Sequence, residues 1–168
     1  MSDDSRTDRP RTMDPLTGVL HREAWELQVP VLLEAADTAR VPVCLLLLGI
    51  DDFMMINAER GSDEGDRILK EVTTVWRGHV RQNDLLARVG HDEFAVLLTG
   101  CSLEAASAVA RRLCGFLDPS RVTASAGGAE WNQKETALEL LARADTAMRQ
   151  ARLLPSDRVE IASDVPAA

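Results

Sequence analysis

The chain has 168 residues and a mass of 18.4 kDa, enough for one domain with a substantial core and too little for two ordinary ones. With 45% hydrophobic and 27% charged residues it is neither disordered nor fibrous, and its longest unbroken apolar run, Val43 to Leu48, is far too short to cross a membrane as a helix. A formal net charge of -8 repels phosphate backbones and argues against general nucleic-acid binding, while leaving room for a local basic pocket for a small anion.

Met1 to Met13 is polar and lacks the apolar stretch of a signal peptide, so residues 1–13 are expected to be a disordered tail. One domain is expected over residues 14–162, followed by a short tail at 163–168. Thr17 and Gly18 form a turn. Apolar residues then recur at helical spacing and predict a helix from Arg22 to about Ala39, with Pro30 as a kink point. Val41 to Leu48 reads as a strand buried on both faces, in the centre of a sheet. Phe53 to Asn57 predicts a short, loosely helical connection, and Ser62 is placed to cap a helix from Asp63 to about His79. Asp84–Val89 and Phe94–Leu98 have the spacing of a hairpin with two carboxylates at its tip. A helix over Leu103–Leu117, a strand over Arg121–Gly127, a helix over Lys134–Leu153 and an edge strand over Arg158–Ile161 complete the chain.

From Val41 onward the order is strand, helix, strand, strand, helix, strand. This is the α+β arrangement of ferredoxin-like palms, with a mixed, largely antiparallel sheet flanked by helices. Cys44, Cys101 and Cys114 form no C-x-x-C pair and leave an odd thiol, which suits a reducing cytoplasm. A phosphate-binding loop, a zinc-protease helix and a serine-hydrolase elbow are all missing from the sequence. The chemistry that remains is acidic. Asp51-Asp52 follow the buried strand and Asp92-Glu93 tip the hairpin, and in a palm these positions are neighbours that can converge on Mg²⁺.

Arg88-Val-Gly-His-Asp-Glu-Phe94 resembles the R-x-G-G-[DE]-E-F signature of the GGDEF family, the diguanylate cyclases that join two GTP molecules into cyclic di-GMP. Other blocks resemble the family in order: Asp14 to Arg22, Gly49 to Asn57, Gly61 to Asp66, Thr123 to Gly127 and Ala144 to Met148. The resemblance implies a cyclase-like palm. It assigns Asn57 and Asp66 to guanine recognition, Gly90, His91 and Arg152 to the GTP pocket, and Asp92 and Glu93 to the catalytic acids, with Asp92 on Mg²⁺ or Mn²⁺ when GTP is bound.

The departures from the family pattern are concentrated on the metal and phosphate side. Gly49 replaces a metal-binding aspartate, leaving Asp51 as the candidate substitute ligand. His91 replaces the second signature glycine, Met54 a lysine, and Ser156 a cation of the closing pattern. Losing one charge-stabilising group commonly costs roughly 10² to 10³ in rate, so little or no turnover is expected. Arg81-Gln-Asn-Asp84, by contrast, keeps the R-x-x-D motif that binds cyclic di-GMP in the family, and Arg111 or Arg112 falls where a further arginine is expected.

The expected function is therefore a cyclic di-GMP receptor derived from a cyclase, located in the cytoplasm, without membrane or nucleic-acid binding. The alternatives are a weakly active diguanylate cyclase and a nucleotide-independent interaction module. GTP, a protein partner that the sequence does not identify and a homodimer are the remaining candidate associations.

Overall fold

The computed structural model describes residues 12–154 and 158–162. Six strands form one sheet in the order β1-β3-β4-β2-β5-β6: β1 (Leu20–His21), β2 (Val43–Ile50), β3 (Leu85–Arg88), β4 (Glu93–Thr99), β5 (Ala124–Glu130) and β6 (Val159–Ile161). β2 pairs antiparallel with β4 and β5, β3 with β4 likewise, and the outer pairs β1–β3 and β5–β6 are parallel. Every residue of β2 is buried, as its continuous apolar sequence requires of a central strand. The palm read from the element order is thus present, extended at each edge by a short parallel strand.

Five helices cover the two faces. α2 (Phe53–Arg60), α3 (Ser62–Arg77) and α4 (Leu103–Gly115) close one core around Leu46, Leu48, Phe94, Ile68, Trp76 and Leu113. α1 (Arg22–Ala39) and α5 (Ala137–Ala151) close the other around Leu45, Leu47, Leu97, Val29, Leu140 and Met148. Alternate residues of β2 feed the two cores, which follows from the two-residue period of a strand.

Local differences from the sequence expectation have identifiable causes. α1 runs through Pro30 without interruption. α3 starts at Ser62 behind Gly61, and Ser62 does not act as a side-chain cap. β2 lies two residues further along than expected, because Pro42 stays outside it and offers its carbonyl to Gly100 and Cys101. β5 also extends past Gly127-Gly128 rather than ending there. A Cβ at Gly127 would overlap the backbone nitrogen of Met148 and the carbonyl of Ala144, so glycine here lets α5 lie directly on the strand. α5 begins late because Thr136 and Glu139 form a reciprocal capping box. β1, only two residues long, had no periodicity to reveal it.

Candidate functional site

The end of β2 and the tip of the β3–β4 hairpin meet where the sequence placed the acids. Gly49 is paired across the sheet with Glu93 on one side and Ser125 on the other, and the Ile50 amide donates to the Asp92 carbonyl at 3.1 Å. The hairpin is braced from behind. Arg88 donates to the His91 carbonyl at 2.7 Å and faces the Asp14 carboxylate at 3.4 Å, and Asp14 also accepts from the Thr17 amide and hydroxyl. Burial would raise the Asp14 carboxyl, but the Thr17 hydrogen bonds and Arg88 outweigh it and hold it below its ordinary value. This ties the Asp14–Arg22 block to the signature, a link between two motifs that the sequence shows only as separate stretches.

His91 stands where the family signature has its second glycine, yet neither Gly90 nor His91 adopts a left-handed backbone, so this hairpin tip accepts a side chain without strain. The imidazole lies against Phe53 with ring centroids 5.2 Å apart, over the first turn of α2. One turn later Asn57 reaches the cleft between α2 and α3. A Cβ at Gly65 would overlap its Oδ1, so the glycine makes room for the amide. Asn57 Oδ1 is buried and has no hydrogen-bond partner among the described residues, an acceptor left open where an unsatisfied group is costly. Asp66 is exposed on α3, just past its first turn.

The donors here do not fit the divalent cation that the family uses with GTP. Gly49 has no carboxylate, and the guanidinium of Arg152 and the sulfur of Met148 fill the space in front of it. Asp51, the candidate substitute, turns away into a buried network. Its Oδ2 accepts from Thr123 at 2.7 Å and pairs with Arg158 at 3.0 Å, while its Oδ1 accepts from Ser125 at 2.7 Å. Both oxygens are spent holding β2 to β5 and β6, which removes Asp51 from the donor set. Burial and the neighbouring Asp92 push the Glu93 carboxyl up from its usual value against the opposing pull of Arg152. No group of three or more His, Cys, Asp or Glu side chains able to hold a metal occurs among the described residues.

At the open end of the hairpin, away from its tip, Arg81, Asp84 and Arg112 line one cleft of about 230 Å³, with His79 and Cys101. The loop that carries the first two closes on itself: the Arg81 amide donates to Asp84 Oδ2 at 3.0 Å, and the Asp84 amide to the Arg81 carbonyl at 3.1 Å. Neither the Arg81 nor the Arg112 guanidinium is engaged in a hydrogen bond or ion pair among the described residues. Arg111 instead donates to the Ser107 hydroxyl one turn back on α4 and does not line this cleft. His79, stacked on Phe116 at 3.8 Å between centroids, was not singled out in the sequence, because a histidine at a helix end carries no spacing signal. Arg81 and Asp84 also border a second depression of about 470 Å³, with Arg77 on its far side.

A family model described as the diguanylate cyclase GGDEF domain matches residues 11–158, and the chain belongs to that family. Diguanylate cyclase DgcP of Pseudomonas aeruginosa is 34% identical over 158 residues, 89% of this chain and 24% of that protein. The chain spans between 24% and 44% of the length of the first curated relatives it matches. Among solved structures, the GGDEF domain of DgcB from Caulobacter crescentus, in complex with c-di-GMP, superimposes with a TM-score of 0.84 at 24% identity. The match covers 92% of this chain and 97% of that one. A microbial GGDEF domain solved with cyclic di-GMP gives a TM-score of 0.80 at 29% identity, covering 89% of this chain and 96% of that one. No helix among the described residues is long and apolar enough to cross a membrane.

Proposed function

We propose that this chain is a cyclic di-GMP-binding GGDEF domain with little or no cyclase activity, acting as a receptor. The observation that carries the reading is one cleft lined by two uncommitted guanidiniums, from Arg81 and Arg112, together with Asp84. A guanidinium can fork onto guanine O6 and N7, and a carboxylate can accept from the opposite edge of the base. The cleft is smaller than a pocket that encloses a drug-sized ligand, so it would take one guanine and leave the rest of the dinucleotide on the surface. The adjoining depression beside Arg81 offers room for the second base. Support also comes from the related microbial domain solved with cyclic di-GMP.

Low turnover follows from the donor set at Gly49. Without a carboxylate there, and with Arg152 in front of the strand end, no paired clamp forms with Asp92 for a cation on GTP. Calorimetric titration of nucleotide-stripped protein with cyclic di-GMP tests the reading, run beside Arg81→Ala and a GTP-turnover assay in Mn²⁺. Micromolar or tighter binding abolished by the substitution, without product formation, is the expected result. Absence of binding, or robust conversion of GTP, would overturn it.

A further inference from the structure

A further depression lies apart from the Arg81 cleft and adjoins, through Leu138 and Leu141, the smaller hollow that reaches Glu93. It is a groove of about 790 Å³ between α1 and the start of α5. One wall is α1, where Trp25, Val29 and Leu33 recur every four residues and form a buried floor to the groove. The other wall is Trp131 before α5 together with Leu138 and Leu141 on its first turns. Leu138 is 73% exposed, a large apolar side chain standing free at the groove edge. The Trp131 indole N–H is committed to the Glu135 carbonyl at 3.0 Å, which leaves its ring as contact surface. Pro30 lies on the wall and has no N–H, so the Glu26 carbonyl one turn back lacks its helical donor.

The rim has one sign of charge. Glu26, Glu34, Asp37 and Glu135 border the groove, and no lysine or arginine does. Glu26 is paired with Arg22 and Glu135 with Arg143, but Glu34 and Asp37 have no basic partner among the described residues. From Trp25 to Asp37 the wall is about 18 Å long at 1.5 Å per residue, three turns of a helix. We propose that this groove docks a basic amphipathic helix of a partner protein, its apolar face on Leu138 and the Trp131 ring and its cations against Glu34 and Asp37. The chain's own ends are poor occupants. Residues 1–11 carry three arginines but only Met1 as a large apolar side chain, and residues 163–168 carry an acid and no base.

The probe is a synthetic helix of about 14 residues, with leucine at positions i, i+3, i+4 and i+7 and lysine elsewhere, beside a twin with glutamate for lysine. Binding to the full chain is read by calorimetry and by tryptophan emission, which reports the groove because half-buried Trp131 lines it while Trp25 and Trp76 are sealed in the two cores. The lysine peptide is expected to bind in the micromolar range with a change in emission, and the glutamate twin not to bind. Leu138→Asp, and separately Glu34→Lys with Asp37→Lys, should each weaken binding at least tenfold. Leu138 is exposed on the first turn of α5, where an acid suits the helix N-terminus, so that variant keeps the fold. Three results overturn the proposal: equal binding of both peptides, affinity that survives both sets of substitutions, or self-association in sedimentation that Leu138→Asp abolishes, which would make a second copy the occupant.

Discussion

The guanidinium of Arg152 occupies the space into which a side chain at Gly49 would project: a Cβ built there overlaps its Nη2 and comes within 3.0 Å of the Met148 sulfur. Both obstructing atoms belong to the ends of flexible side chains. Gly49→Asp is therefore expected to fold, with a melting temperature within a few degrees of the parent. By restoring a carboxylate opposite Asp92, it should also make Mn²⁺ raise that temperature more than it does in the parent. Equal Mn²⁺ stabilisation of both proteins would show that Gly49 is not what weakens metal binding.

Asp51 behaves oppositely, because it is structural. Asp51→Ala leaves the Thr123 and Ser125 hydroxyls and Arg158 without their acceptor and should cost about 2 kcal/mol by urea denaturation. Mn²⁺ binding to the Gly49→Asp background should be unchanged by it. A loss of metal affinity would return Asp51 to the donor set.

The two adjacent arginines of α4 should separate cleanly. Arg112→Ala is expected to weaken cyclic di-GMP binding about 10- to 100-fold, the worth of a hydrogen bond from a charged group, whereas Arg111→Ala should leave it within about twofold. Equal losses would mean that Arg111 leaves Ser107 to meet the ligand.

The acids predict pH effects of opposite sign. The Asp14 carboxyl lies below its ordinary value of 3.8 in the folded chain, so its contribution is present above that value and disappears as the pH falls through the folded one. Asp14→Asn should flatten the acid limb of a plot of urea midpoint against pH. Glu93 is raised above 4.5, so its contribution is complete below that value and is lost as the pH climbs through the folded one. Glu93→Gln should accordingly be at least as stable as the parent at neutral pH. A less stable Glu93→Gln protein would indicate that the ion attraction to Arg152 outweighs the cost of burial.

Gly127→Ala tests the helix–strand contact. The obstructing atoms are the backbone of Ala144 and Met148, which cannot swing aside, so a loss of about 3 kcal/mol is expected in chemical denaturation. Gly61→Ala, with nothing near its Cβ but a left-handed φ of 87°, should cost less, about 1 kcal/mol.

The order of elements, the central position of β2 and the two-faced core were legible in the sequence, because each rests on local apolar periodicity and on six motif blocks. The closeness of Arg81 and Asp84 was legible too, since they lie three residues apart and one tight loop places them. The structure alone decided which neighbouring side chain turns where. Arg112 rather than Arg111 lines the cleft because adjacent helix positions point about 100° apart, and only the packing of α4 selects one of them. Asp51 was spent on partners more than 70 residues away, Thr123, Ser125 and Arg158, a competition that strand alternation cannot reveal. The placing of Arg152 before Gly49 and the groove between α1 and α5 likewise depend on how α5 lies across the sheet. That is set by Gly127 and the capping box at Thr136, so these features belong to the tertiary structure.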